Sequence, residues 1–296
     1  MKKKITGSVL VLIFLIGLSL LLYPSVSNYW NELHQSRAIS NYAESISSVN
    51  PEKYEQLWLD AGAYNKMITD GYIGYELTPE QEEMYCHLLQ IDDSGVIGYI
   101  DIPAINCTLP IYLGTDEETL QVALGHIPWS SIPIGGEGTH SVISGHRGLP
   151  SARLFTDLDL LVPGDRFTIH VLNDMLTYEV DQINIVLPEE VNFIKAEPTG
   201  DYCTLLTCTP YGVNTHRLLV RGHRVENDPG KSSLHIVSEA MQINNKLIAA
   251  ILFAATAGIL AIIYFVRLGS ADKKKNKQSP LYKKLKDKSK REEERI

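Results

Sequence analysis

Cys208 closes an apolar run, Tyr202–Cys208, which is followed by a turn holding Pro210, Gly212 and Asn214 and by a second run, Arg217–Arg224. This texture reads as strand, turn, strand. It places a thiol at the mouth of a turn and brings Arg217 back beside it. Alternation puts Arg217, Leu219 and Arg221 on one face of the second strand and Leu218 and Val220 on the other. A free thiol with a pKa of about 8.5 is only slightly ionised at neutral pH, and a neighbouring cation raises the thiolate share. Arginine also donates hydrogen bonds to a developing oxyanion without losing its charge. These residues suit acyl transfer through cysteine, given an acid/base nearby. His146, in Ser144-Gly145-His146-Arg147-Gly148 directly after another strand-like run, is the best placed by local texture. His140, His216 and His223 compete with it, and spacing does not choose among them. Each residue also has a plain structural use: a strand-end cysteine is often a small buried hydrophobe, and an arginine in an acidic domain an ion-pair partner.

Short β segments must hold these groups. Val96–Ile102, Cys107–Leu113, His140–Ser144, Phe167–Leu172, Leu176–Leu187, Tyr202–Cys208 and Arg217–Arg224 are bounded by Gly, Pro, Asn or Asp. Seven strands without alternating long helices predict a barrel or sandwich. Thr115–Ala123 reads as an intervening helix, and Gly135-Gly136-Glu137-Gly138 as a turn, since it lacks the spacing of a phosphate cradle. Before residue 92 the pattern is helical. Asn50-Pro51-Glu52 marks one start, with Tyr54, Leu57, Trp58, Ala61 and Tyr64 along one face, and Thr78 to Gln81 has the spacing of a capping box ahead of Met84, Leu88 and Ile91.

Charge and hydropathy place the domain. Ile5–Tyr23 is 19 residues without a charge and Leu247–Val266 is 20, each long enough to cross a bilayer. The net charge of −8 hides a division: Lys2–Lys4 and the tail 269–296, with 11 basic against 5 acidic residues, are positive, whereas 24–246 carries 12 basic and 30 acidic side chains. Basic ends stay cytoplasmic, so both ends are predicted inside and the acidic middle outside the cell. Lys273–Arg295 also suits anionic lipid head groups. Nucleic acid is a poor partner for so acidic a domain. Ser25-Val26-Ser27 offers a cleavage site, but the length of the first apolar run favours a retained anchor. The four cysteines, Cys86, Cys107, Cys203 and Cys208, are too sparse for a disulfide scaffold, and strand alternation separates Cys203 from Cys208. No Cys-x2-Cys or His-x3-His pairing supports zinc.

Thr204-Leu205-Leu206-Thr207-Cys208 matches the TLxTC signature of sortases, membrane-anchored cysteine transpeptidases of Gram-positive cell surfaces. With Thr-Pro-Tyr-Gly-Val-Asn-Thr-His-Arg-Leu-Leu-Val-Arg-Gly at 209–222 and Gly-Glu-Gly-Thr-His-Ser-Val-Ile-Ser-Gly-His-Arg-Gly-Leu-Pro-Ser-Ala at 136–152, the chain resembles class C, the pilus-assembling type. The resemblance covers residues 94–226 densely, and a second, C-terminal membrane helix fits that class. It implies a mainly β fold, a closed eight-stranded barrel with a cleft at one end, with N-terminal helices and two flanking transmembrane helices. The domains implied are a cytoplasmic start at 1–4, a transmembrane helix or signal anchor at 5–23, a helical region at 24–92, the catalytic barrel at 93–228, a linker at 229–246, a second membrane helix at 247–268 and a basic cytoplasmic tail at 269–296. The family's nucleophile falls on Cys208, its acid/base on His146, its oxyanion-stabilising arginine on Arg217, and a site-lining threonine on Thr207. Arg221 is the nearest impostor for Arg217.

The implied reaction cleaves an LPxTG-like sorting signal between Thr and Gly through a thioester and joins the acyl group to an amine. In class C the amine is a pilin lysine; in housekeeping sortases it belongs to the peptidoglycan precursor. No cofactor or metal is implied. Many class C members carry a lid with an Asp-Pro-aromatic motif before the barrel. Residues 24–95 lack that tripeptide, Asp70-Gly71-Tyr72 being a poor match, so an open cleft is expected. Two rivals remain at this stage. A papain-like protease would need His and Asn well downstream, and only 88 residues follow Cys208. A non-catalytic surface scaffold would tolerate Cys208→Ala.

Overall fold

The computed structural model describes residues 2–227, together with Thr256–Gly258 and Lys284. Most of the second apolar run, the linker before it and most of the basic tail lie outside the described residues. Contacts divide the chain into two compact units at Tyr23/Pro24, and the unit from Pro24 to Gln242 carries the barrel and the candidate site.

Eight strands close into a barrel in the order β1-β2-β3-β4-β7-β8-β6-β5. They are β1 (Val96–Ile102), β2 (Cys107–Leu113), β3 (Leu124–His126), β4 (Thr139–Ser144), β5 (Arg166–Val171), β6 (Asp174–Val186), β7 (Asp201–Thr209) and β8 (His216–Val225). Seven match the expected segments to within about two residues at each end. The eighth, β3, has three residues, too few to show a period. Most neighbours are antiparallel, and β1 meets β5 to close the ring. Two pairs, β2 with β3 and β4 with β7, are parallel and need crossovers. The first crossover contains the short helix α4 (Glu117–Leu120), capped by Asp116 and lying within the expected Thr115–Ala123.

Alternation sorts the strands into two faces. Ile100, Ile111, Ile143, Phe167, Tyr178, Cys203, Leu205, Leu218 and Val220 fill the interior. The stacked rings of Phe167 and Tyr178 leave room for no side chain at Gly222, where a Cβ would lie 2.8 Å from one ring and 2.9 Å from Tyr178 Cβ. A smaller buried cluster joins Val142, Val186 and Leu219, on the outer face of β4, β6 and β8, to Ile194, with Ile127, Trp129 and Leu206 packed against it.

Three helices precede the barrel: α1 (Lys2–Ser48), α2 (Pro51–Thr69) and α3 (Pro79–Cys86). In α1 the apolar run and the following segment form one helix, with Pro24 inside it, and among the described residues it is the helix long and apolar enough to cross a membrane. Asn50 caps α2 by accepting from Lys53 N–H, and Leu57, Ala61 and Tyr64 are buried at the expected spacing. Thr78 and Gln81 form the reciprocal capping box of α3. The face of α3 differs from the expected one: Met84 is exposed, Tyr85 is buried, and the helix stops before Leu88. Tyr85 turns inward because its hydroxyl accepts from Gly114 N–H at 2.8 Å and sits 3.0 Å from His126 Nδ1. Tyr42 of α1 donates to Ile97 O at 2.7 Å and accepts from Leu172 N–H at 2.9 Å, tying the helix to the barrel wall.

Candidate active site

Cys208 is the last outward-facing residue of β7, on the same face as Tyr202, Thr204 and Leu206. In the antiparallel ladder Cys208 stands opposite Arg217, Leu206 opposite Leu219, Thr204 opposite Arg221 and Tyr202 opposite His223. Side chains directly opposite each other lie about 5 Å apart at Cβ, so Arg217 is the cation beside the thiol. Arg221 stands four residues, about 13 Å, further along.

The third group arrives by the parallel pairing of β4 with β7. Ser144 is level with Leu206, and Gly145 N–H donates to Leu206 O at 3.0 Å, so His146 and Cys208 follow at the same rim. Gly145 is required there, since a Cβ would come within 2.5 Å of Leu124 and 2.8 Å of the Phe155 ring. His146 Nε2 is buried and has no hydrogen-bond partner among the described residues. Buried polar atoms are almost always paired, which marks this nitrogen as one that awaits a partner.

Thr207 is fully buried and points into the barrel, away from the Cys208 side chain. Its hydroxyl donates to Gly145 O at 2.7 Å. Alternation is the reason for this orientation: the residue before an outward cysteine faces inward. Arg147 binds the same rim from the other side, donating to Thr209 Oγ1 at 3.1 Å and to Asp159 at 2.5 Å. The Tyr211 ring packs against Gly148, bringing the turn after β7 onto the loop that holds His146. Neither Arg147 nor Tyr211 stood out in the sequence, where no spacing links them to Cys208.

The rival groups occupy other places. His216 is opposite Thr209 on the inward alternation, and His140 and His223 are both level with Tyr202, about 20 Å from the thiol. His140 is bonded on both nitrogens, to Lys195 O at 2.9 Å and Thr204 Oγ1 at 2.7 Å, and burial lowers its pKa. Arg221 is clamped by Asp181 through two hydrogen bonds of 2.7 and 3.1 Å, reaches Glu197 at 3.4 Å and lies 4.3 Å over the Tyr202 ring. Asp181 is the extra residue of a bulge in β6, which aims it at Arg221. Arg217, by contrast, donates among the described residues only to the carbonyls of Asn214 and His216, at 3.3 and 3.2 Å.

Of the four free cysteines, Cys107 and Cys203 are buried, and burial pushes their thiols up, that of Cys107 to about 12. Cys86 is exposed at the end of α3. Cys208 alone combines partial exposure with a neighbouring arginine and histidine. At the other end of the outer face a cavity of about 490 Å³ is lined by Tyr75, Trp129, His140, Ile194 and Pro198. The segment where a lid would stand reaches this end: Tyr75 lies edge-on to Trp129 at 4.9 Å, and Tyr72 O accepts from Gln81.

The sortase domain model matches residues 100–225. Sortase C1 of Streptococcus agalactiae is 49% identical, with a TM-score of 0.63 over 65% of this chain and 100% of that one. Sortase C of Streptococcus pneumoniae is 41% identical, with a TM-score of 0.57 over 64% of this chain and 97% of that one. Among curated relatives, sortase A of Bacillus anthracis is 24% identical over 224 residues, 76% of this chain and 96% of its own length. A β-barrel of this strand order, a thiol facing an arginine across its rim, and 49% identity to a sortase C over the 65% of the chain that aligns lead to one assignment: the chain belongs to the sortase family of cysteine transpeptidases, with class C sortases as its structural neighbours.

Proposed function

We propose that Cys208 is the nucleophile, His146 the acid/base and Arg217 the oxyanion donor of a pilin-polymerising transpeptidase. The observation that carries the reading is the shared rim: Cys208 opposite Arg217, with His146, whose Nε2 has no partner among the described residues, just past the end of the adjacent strand. The Cys208 thiolate attacks the Thr carbonyl of an LPxTG-like signal. Arg217 holds the resulting oxyanion through its planar donors. As the C–N bond breaks, His146 gives its proton to the departing Gly amine, leaving a thioester. A lysine amine of the next pilin, deprotonated by His146, attacks the thioester carbonyl and the thiolate leaves, so an isopeptide bond forms with no net change at the enzyme. A peptidoglycan precursor amine is the alternative acceptor.

Thr207 serves this chemistry from behind, pinning the peptide before His146 to the strand that ends in Cys208. The acyl part of the substrate lies along the outer face past Leu206, and the packing of Tyr75 on Trp129 supports an open cleft over Cys208. Both substrates are extracellular, in line with an acidic domain between basic ends and with two membrane spans. The test is intact-mass analysis of the protein with an LPxTG peptide. A hydroxylamine-labile adduct equal to the peptide through its Thr is expected on the wild type and not on Cys208→Ala; a reactive thiol that forms no adduct with any of several sorting signals contradicts the reading.

A further inference from the structure

The connection from β4 to β5 is long, residues 145–165, and it carries His146 near its start. Long connections hold a side chain accurately only if their own backbone groups are tied down. Close to the barrel they are. Phe155 N–H donates to His146 O at 3.1 Å, Thr156 N–H to Arg153 O at 2.8 Å, Arg147 Nε to Thr156 O at 3.2 Å and Gly148 N–H to Thr156 Oγ1 at 3.3 Å. Residues 146–148 and 153–156 thus brace each other, and the position of His146 follows the position of the bend at 149–153.

Two asparagines of α1 hold that bend. Asn31 Nδ2 donates to Ser151 O at 2.9 Å, and Asn28 Oδ1 accepts from Arg153 N–H at 2.8 Å. Asn28 is itself oriented by donating through Nδ2 to Glu32 at 2.7 Å. The two residues are three apart, so they share one helix face. Asparagine is a poor helix former, and both these amides reach 120 residues or more along the chain to a backbone group of the same bend. They lie five and eight residues beyond Tyr23, the end of the uncharged run. Gln35, one turn further on the same helix, bonds instead to Val122 O at 2.6 Å, in the connection between β2 and β3 and outside the His146 loop.

We propose that Asn28 and Asn31 are positioning residues for His146, so that the part of α1 next to the apolar run sets the geometry of the acid/base. This rests on the reading of His146 given above. The path has two steps: α1 fixes Ser151 and Arg153, and the 153–155 backbone fixes His146. A small displacement of an acid/base lowers the rate of proton transfer without greatly changing how the rest of the substrate binds.

The experiment uses the full chain in detergent micelles, with an LPxTG peptide and an amine acceptor, and compares Asn28→Ala, Asn31→Ala, the double variant, Asn31→Asp and Gln35→Ala. The double variant is expected to lose about tenfold in kcat with KM within about twofold, and the limb of its pH–rate profile that depends on His146 shifts. Asn31→Asp keeps the shape and loses the N–H donor, so it falls as far as Asn31→Ala. Gln35→Ala lowers Tm comparably and keeps kcat within about twofold. An unchanged kcat and pH profile in the double variant overturns the proposal. So does a loss of kcat in Gln35→Ala as large as in the asparagine variants, since that traces the effect to stability. His146→Gln, run alongside, separates the two layers: full activity there removes the acid/base reading itself, whereas its inactivity with an unaffected double variant removes only the role of the asparagines.

Discussion

The outer face of β4, β7 and β8 has two ends built from the same residue types, and they are wired in opposite ways. At one end His140 is bonded on both ring nitrogens and Arg221 is held by Asp181, Glu197 and the Tyr202 ring. At the other end, among the described residues, His146 leaves Nε2 without a hydrogen-bond partner, and Arg217 donates only to two carbonyls of its own turn. A paired histidine or arginine holds structure, and an under-paired one is available to a substrate. Residue type alone therefore says little about function on this face; the wiring decides.

The comparison is broken most severely by changes at the open end. Cys208→Ala abolishes acyl transfer, and His146→Asn lowers transpeptidation by about 100-fold or more while Tm stays within a few degrees. Arg217→Lys keeps the charge and loses the fork of donors, so kcat falls by about 100-fold; near-normal turnover would reduce Arg217 to a point charge. Arg221→Lys loses the bidentate clamp and the ring contact, which lowers stability by about 1 kcal/mol and leaves kcat within about threefold. Thr207→Val removes the hydroxyl that holds Gly145 O. It costs about 1–3 kcal/mol for the carbonyl left unpaired and about tenfold in kcat, and unchanged kcat in that variant would detach Thr207 from the positioning of His146.

The locked end and the barrel behind it also carry an acid signature. Burial lowers the pKa of His140 and pushes that of His126 down to about 4. A histidine depressed in the folded state gives stability that is fully present above its unfolded value of about 6.5 and is lost as pH falls. For His126 the loss runs between pH 6.5 and 4 and totals about 3 kcal/mol. Urea midpoints at pH 7 and 4.5 should show it, with a smaller difference in His126→Asn; equal pH dependence in the two proteins would assign the loss elsewhere.

Much of this was legible beforehand. Proline and asparagine at 50–51 and the Thr78–Gln81 pair mark helix starts through local hydrogen bonds, so they can be read without tertiary knowledge. Strand alternation likewise puts Arg217 and Arg221 on one face. It does not choose between them, because the choice rests on Asp181, which a bulge in β6 aims at Arg221 from 40 residues away. His146 could be separated from His140, His216 and His223 only through the resemblance, since its proximity to Cys208 depends on the parallel register of β4 and β7. The alternation that turns Cys208 outward turns Thr207 inward, which is legible in the strand, whereas its bond to Gly145 O is not. The three residues of β3 and the inward turn of Tyr85 are set by long-range pairing and left no local trace.

The most direct test of the central claim is the single-turnover rate of thioester formation, followed by quenched intact mass, in Arg217→Lys and Arg221→Lys side by side. A fall of about 100-fold in the first and at most about threefold in the second is expected. Equal losses, or the larger loss in Arg221→Lys, would contradict the division of the face into a locked end and a reactive one.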